Sequence, residues 1–136
     1  MALLDTTVLI DLARRPQSPS HQFARAEMQR LHIVGEMLFT SRINEAEFRV
    51  GPEVVEDRAR ELENVERVLA GISILEFNAE SARRYAVIKS RMLKIGRPIG
   101  DCDFLIASVA LAHGQLLVTR NPRHFLQIGG LRVQSY

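Results

Sequence analysis

Only five aspartates occur in this chain of 136 residues, and three of them border apolar sequence. Asp5 ends the run Ala2-Leu3-Leu4, and Asp101 and Asp103 stand just before Phe104-Leu105-Ile106-Ala107. Glu47 lies on a helical segment after the second apolar run. Carboxylates set in such surroundings are partly buried, and partly buried like charges need a cation or a proton. Hard divalent ions such as Mg²⁺ and Mn²⁺ prefer carboxylate oxygen. His21, His32, His113 and His124 show no metal-ligand spacing, so an oxygen-only site is the chemistry these residues suggest. The serines and Cys102 lack a convincing histidine and acid partner set, which speaks against a protein nucleophile.

Each acid also has an ordinary structural reading. Asp101 suits a helix N-cap, and Asp103 suits the positive end of a helix dipole. Asp5 suits backbone hydrogen bonding in a strand-to-helix turn. Glu47 suits a solvated helix face or an ion pair near Arg49. Their joint placement, rather than any one residue, carries the functional reading.

Strands and helices that alternate along the chain would position these groups. Strands are expected over 2–4, 37–40, 72–77, 115–119 and 131–134. Helices are expected over 20–34, from Ser41 to a stop at Gly51-Pro52, through the stripe from Val55 to Ile72, from Asn78 to Ile95, and from Asp101 to His113. The stripe after Asn78 is Ala82, Tyr85, Ala86, Ile88, Met92 and Ile95. This order predicts a single α/β domain over 1–136, with a mostly parallel sheet of about four to five strands flanked by helices. Ligands of such sheets bind beyond the carboxyl ends of the strands, where Asp5, Glu47 and Asn121 fall.

Composition narrows the class further. Apolar residues make up 46% and charged residues 25%, which excludes a disordered chain, a collagen-like repeat and a coiled-coil rod. No run approaches the ~20 apolar residues of a membrane span. The opening MALLDTTVLIDL has no basic leader, and Asp5 interrupts its apolar run, which argues against a signal peptide. One cysteine, Cys102, permits no intrachain disulfide, so a reducing, cytoplasmic setting is expected. The net charge of +2 contains 16 arginines and two lysines; arginine forks suit phosphate, and GC-rich coding bias gives the same count. Arg97, Arg120 and Arg123 stand near the proposed mouth, where they would meet phosphate or simply face solvent and partners.

Four segments in order resemble the PIN-domain ribonucleases of the VapC toxin type. Leu3-Leu4-Asp5-Thr6-Thr7-Val8-Leu9-Ile10 is similar to the family opening LLDTNVLI. Ser41 to Gly51, with Glu47-Phe48-Arg49-Val50-Gly51, resembles S-x-x-x-x-x-E-[LF]-x-x-G. Pro98-Ile99-Gly100-Asp101-Cys102-Asp103 with Phe104 to Ala107 resembles P-I-G-x-x-D-x-x-I-A. Leu117-Val118-Thr119-Arg120-Asn121 with Phe125 resembles L-V-T-x-N-x-x-x-F.

The resemblance implies a three-layer PIN-like fold and an endoribonuclease that uses Mg²⁺ or Mn²⁺. It implies Asp5, Glu47 and Asp103 as catalytic metal ligands and Asp101 as an auxiliary acid. Thr6, Thr7, Thr119 and Asn121 would support these ligands. Thr7 replaces the usual asparagine, and Asn121 stands where many members carry a fourth acid. The implied partners are RNA, a cognate VapB-type antitoxin and a second toxin copy, within a larger toxin–antitoxin assembly. The helices over 54–71 and 79–96 are the expected apolar groove or dimer surface. Two alternatives stand beside this: a PIN-like module that binds RNA or protein without cleaving, and a phosphatase. The latter expects D-x-D, whereas Thr7 follows Asp5 by two.

Overall fold

The computed structural model describes residues 1–96 and 100–136. The expected segment Arg97-Pro98-Ile99 lies outside these residues. Strand β1 (Ala2–Leu4) forms the centre of a five-stranded sheet. Its neighbours are β2 (Leu38–Ser41) and β4 (Leu116–Val118), with β3 (Ser73–Leu75) and β5 (Val133–Gln134) outermost. The order is β3-β2-β1-β4-β5, and every pairing is parallel. The expected α/β class is therefore borne out, with a wholly rather than mostly parallel sheet.

The helices are α1 (Thr6–Ala13), α2 (Pro19–Ile33), α3 (Arg42–Phe48), α4 (Val50–Val54), α5 (Arg58–Leu69), α6 (Ala79–Lys94) and α7 (Asp101–Ala112). Their boundaries follow local chemistry. The Ser18 hydroxyl accepts from the His21 amide, with Pro19 in the first turn, where its missing N–H costs nothing. Asp57 caps α5 and Asn78 caps α6 by bonds to the amides of Arg60 and Ser81. Gly114 takes φ +63° after α7, where a side chain would be strained.

Three expectations are corrected. Gly51-Pro52 does not end the helix after Ser41. The break comes at Arg49, and Pro52 lies inside the first turn of α4, whose amides have no intrahelical acceptors to lose. Val55 does not belong to the α5 stripe, because the Asp57 cap starts that helix later and leaves Val55 exposed. Ile95 is exposed at the end of α6, while Ile88 and Met92 carry its buried face.

Two apolar layers sandwich the sheet. Successive strand residues face opposite sides, so Leu3 and Leu117 join α6 and α7, with Phe104, Ile106 and Phe125. Ala2, Leu4 and Val118 join the other layer, with Val8 and Leu9 of α1, Leu31 of α2 and Val65 of α5. This separates the two helices expected to share one partner surface: α5 packs on α1 and α4, and α6 packs on α7 across the sheet. The open groove instead runs between α1, α4 and α5, about 1140 Å³ in volume, with Ile10, Phe48 and Val54 among its walls. Among the described residues, no helix is long and apolar enough to cross a membrane.

Candidate active site

Asp5 follows β1 directly and occupies the N-cap position of α1 without a side-chain cap bond, at the carboxyl edge of the sheet, buried at 5% exposure. Its amide donates to the Val118 carbonyl at 2.9 Å, tying it to β4. Three side chains then hold the carboxylate. Oδ2 accepts from the Thr7 hydroxyl at 2.9 Å and the Thr119 hydroxyl at 2.8 Å, and Oδ1 accepts from Asn44 Nδ2 at 3.3 Å. The hydroxyls come from the helix after β1 and the end of β4, and the amide from the helix after β2.

Asn44 was not singled out in the sequence, yet it links two of the predicted acids. It forms a capping box with Ser41: its amide donates to the Ser41 hydroxyl at 3.1 Å, and its Oδ1 accepts from the Ser41 amide at 3.3 Å and from the Ser41 hydroxyl. With Oδ1 so occupied, Nδ2 must face the other way, toward Asp5 and toward Thr6 Oγ1 at 3.0 Å. The Thr6 hydroxyl in turn donates to Glu47 Oε2. A chain Asp5–Asn44–Thr6–Glu47 thus fixes one acid relative to the other. The readable signal was Ser41-x-x-Asn44, a capping pattern three residues ahead of Glu47.

Asp103 lies in the first turn of α7, and its Oδ2 is 3.0 Å from His124 Nδ1. Burial pushes its carboxyl above the ordinary range; the Asp5 charge adds to this, and His124 pulls it back. Asp5 and Asp103 therefore feel each other as like charges in a partly desolvated place. Helix α7 begins at this edge because it must feed β4 only a few residues after it ends.

The sequence pattern that defines the PIN domain matches residues 2–131. The chain belongs to the PIN-domain family. It is 30% identical over 134 residues to Ribonuclease VapC2 of Haemophilus influenzae, spanning 98% of this chain and 96% of that protein. It is 29% identical over 135 residues to the tRNA(fMet)-specific endonuclease VapC of Shigella flexneri, again spanning 98% and 96%. The DNA-bound VapBC complex of Salmonella typhimurium contains a chain of the same fold, with TM-score 0.84, 26% identity, and 99% and 98% of the two chains covered.

Other predicted residues of the PIN domain take different places. Asp101, in the first turn of α7, is exposed and turns toward α6, where Lys89 pairs with it and the Tyr85 hydroxyl lies 3.4 Å away. Lys89 holds its carboxyl below the ordinary range. Gly100, not Asp101, is the N-cap of α7. Glu47 is not paired near Arg49, which instead holds Glu45 and Glu66. Thr119 is wholly buried, and its oxygen also accepts from the Asn121 amide at 3.0 Å. The Asn121 side chain is exposed and makes no cap bond to the short 3₁₀ turn Pro122–His124. Arg123 is exposed on that turn, and Arg97 lies outside the described residues.

The donor set is carboxylate oxygen flanked by hydroxyls, which suits a hard divalent cation. Among the described residues, no three His, Cys, Asp or Glu side chains converge closely enough to hold an ion. In this arrangement Glu47 is turned to Thr6, and Asp103 to His124. Partial desolvation, and then the nearby Glu47, push the thiol of the exposed Cys102 up, which disfavours its thiolate.

Proposed function

We propose that this PIN domain is an endoribonuclease toxin that hydrolyses RNA phosphodiester bonds with Mg²⁺ or Mn²⁺ and is restrained by a VapB-type antitoxin. The observation that supports this most is the Asp5 carboxylate, held by Thr7, Thr119 and Asn44 and within electrostatic reach of Asp103. A carboxylate pair kept at a sheet edge despite mutual repulsion is suited to a cation. Asp5, Glu47 and Asp103 would hold it. Bound there, the ion would acidify a water and offset charge that develops on the phosphoryl oxygens.

The chain's own residues do the rest. Thr7, Thr119 and Asn44 keep Asp5 from rotating, Thr6 orients Glu47, and His124 orients Asp103. Asn121 contributes its amide to Thr119. Arg120, Arg123 and Arg97 would meet the RNA backbone. In the groove between α1, α4 and α5, the apolar Ile10 and Val54 beside charged residues of both signs, such as Arg60 and Glu61, suit an amphipathic antitoxin segment. The relatives that carry the VapC name, and the related chain solved within a VapBC complex, support this partner. Homodimers within a larger toxin–antitoxin assembly, in the cytoplasm, complete the reading.

The test is cleavage of RNA with added Mg²⁺ or Mn²⁺, with EDTA and Asp5→Asn as controls. Cleavage that persists through both controls refutes the metal-nuclease reading. One observation favours a second reading, a binding module without cleavage: Glu47 and Asp103 are each turned onto a protein partner. RNA binding without cleavage by the intact protein would select that reading.

A further inference from the structure

Asp11 has no solvent contact at all, yet it takes no part in the acidic site. It lies on α1 one turn after Thr7, so the two share a helix face. A carboxylate buried this completely requires partners, and it has three. Arg120 Nη1 donates to both of its oxygens, at 2.6 and 2.9 Å. Arg14 Nε lies 3.2 Å away, and the Tyr136 hydroxyl donates at 2.8 Å. Burial and this bond push the Tyr136 phenol far above its ordinary range, so it stays a donor.

Arg120 is held at both ends by the same face of α1. Its side chain grips Asp11, and its amide donates to Thr7 Oγ1 at 3.1 Å. With that lone pair occupied, the Thr7 proton is directed at Asp5 Oδ2. The side chain is 39% exposed, and among the described residues its Nε and Nη2 have no acceptor. Two guanidinium groups, Arg14 and Arg120, against one carboxylate leave this rim net positive. A guanidinium fixed through Nη1, with the Nε–Nη2 edge left without an acceptor, matches the geometry of phosphate recognition.

We propose that Asp11, with Tyr136, is a positioning residue that pins Arg120 beside the acidic site, so that its open edge takes an RNA backbone phosphate next to the cleaved one. This rests on the ribonuclease reading and deepens it. The anchored residue also reaches Asp5 through Thr7, so one buried carboxylate serves both substrate and site.

The test compares wild type with Asp11→Asn, Tyr136→Phe, Arg120→Lys and Arg120→Ala. Steady-state cleavage gives KM and kcat, and fluorescence anisotropy of labelled RNA in EDTA gives affinity across a salt series. Glu27→Gln is the control, since Glu27 is another buried carboxylate, paired with Arg30 on α2. Arg120→Ala is expected to raise KM about tenfold, the loss of one charge-assisted contact. Its salt slope should fall by about 0.7, one phosphate contact to a single strand. Asp11→Asn should shift KM the same way by about fivefold, with kcat changed less than about threefold. Arg120→Lys should recover the salt slope but not the full affinity, because lysine lacks the fork. Tyr136→Phe, the mildest change, should raise KM about twofold and keeps the test valid if Asp11→Asn does not fold.

Wild-type KM and salt slope in Arg120→Ala and Tyr136→Phe overturn the proposal, as does an equal KM rise in Glu27→Gln, which marks a stability effect alone. RNA bound but not cleaved by wild type refutes the nuclease reading, and the same comparison then runs on affinity. A wild-type protein that neither binds nor cleaves RNA overturns both.

Discussion

Substitution of Asn44 separates a structural cap from a link in the site, because its two ends do different things. Oδ1 closes the capping box on Ser41, and Nδ2 bridges Asp5 Oδ1 at 3.3 Å and Thr6 Oγ1 at 3.0 Å. Asn44→Ala removes both ends. The lost box costs about 1 kcal/mol. The lost bond to a buried carboxylate costs about 2 kcal/mol more, so the total is about 3 kcal/mol. Asn44→Asp keeps the Ser41 end and inverts the other. It sets a second negative oxygen near 3.3 Å from Asp5, a repulsion of about 5 kcal/mol at an effective dielectric constant of ~20. The closer isostere is therefore expected to be the more damaging. Urea unfolding in EDTA measures this directly, with midpoints ordered wild type, Asn44→Ala, Asn44→Asp. Asn44→Ala should also lose about 100-fold in cleavage, since Asp5 and the Thr6–Glu47 pair lose their common anchor. If Asn44→Asp proves as stable as wild type, or more stable than Asn44→Ala, Asn44 does not hold Asp5 and this account of the site is wrong.

Four further outcomes are expected. Asp5→Asn, Glu47→Gln and Asp103→Asn should each lower cleavage at least about 100-fold with the fold intact by circular dichroism. Asp101→Asn should cost only severalfold, because Lys89 and Tyr85 hold that carboxylate on α6. Thr119→Val, which removes a donor to Asp5 and an acceptor for the Asn121 amide, should lose about tenfold in cleavage, and Thr119→Ser should recover most of it. Val54→Glu, at a position 75% exposed on the groove wall, should leave cleavage unchanged while weakening antitoxin capture in a pull-down and growth-rescue assay.

How much of this was legible in the sequence depends on the range of the interaction. The places of Asp5 and Asp103 could be read because each stands where an apolar run meets a helix start, and that of Glu47 because it follows the second apolar run on a helical segment, both patterns of neighbours in the chain. The same local rules located α2, α5 and α6, the last through its Asn78 cap, while the Ser18 and Asp57 caps set ends a few residues from those expected. What escaped depends on pairs far apart in the chain. His124 meets Asp103 across 21 positions, and Arg120 meets Asp11 across 109. No periodicity encodes such a meeting. The pairing of helices 54–71 and 79–96 failed for a related reason: amphipathic stripes show that a helix has a buried face, but not which side of the sheet that face covers. The alternation of Leu3 against Ala2 and Leu4 in β1, and of Leu117 against Val118 in β4, separates the two layers.

The Thr7 position shows why a departure from a family pattern is decided by its surroundings. An asparagine there would offer two donors and a carbonyl acceptor in a planar group, whereas threonine offers a single donor, free to rotate, on an oxygen with two lone pairs. That poverty is harmless when neighbours settle the orientation. Here the Arg120 amide donates to Thr7 Oγ1, so the Thr7 proton turns away from it and toward Asp5. The Thr119 hydroxyl is treated in the same way by the Asn121 amide, and it donates to the same Asp5 oxygen. Two backbone amides of one turn after β4 thus aim two hydroxyls at one carboxylate oxygen. The precision of Asp5 therefore comes from the β4 turn as much as from its own helix. Substitutions that shift that turn should disturb Asp5 even where they touch no acid.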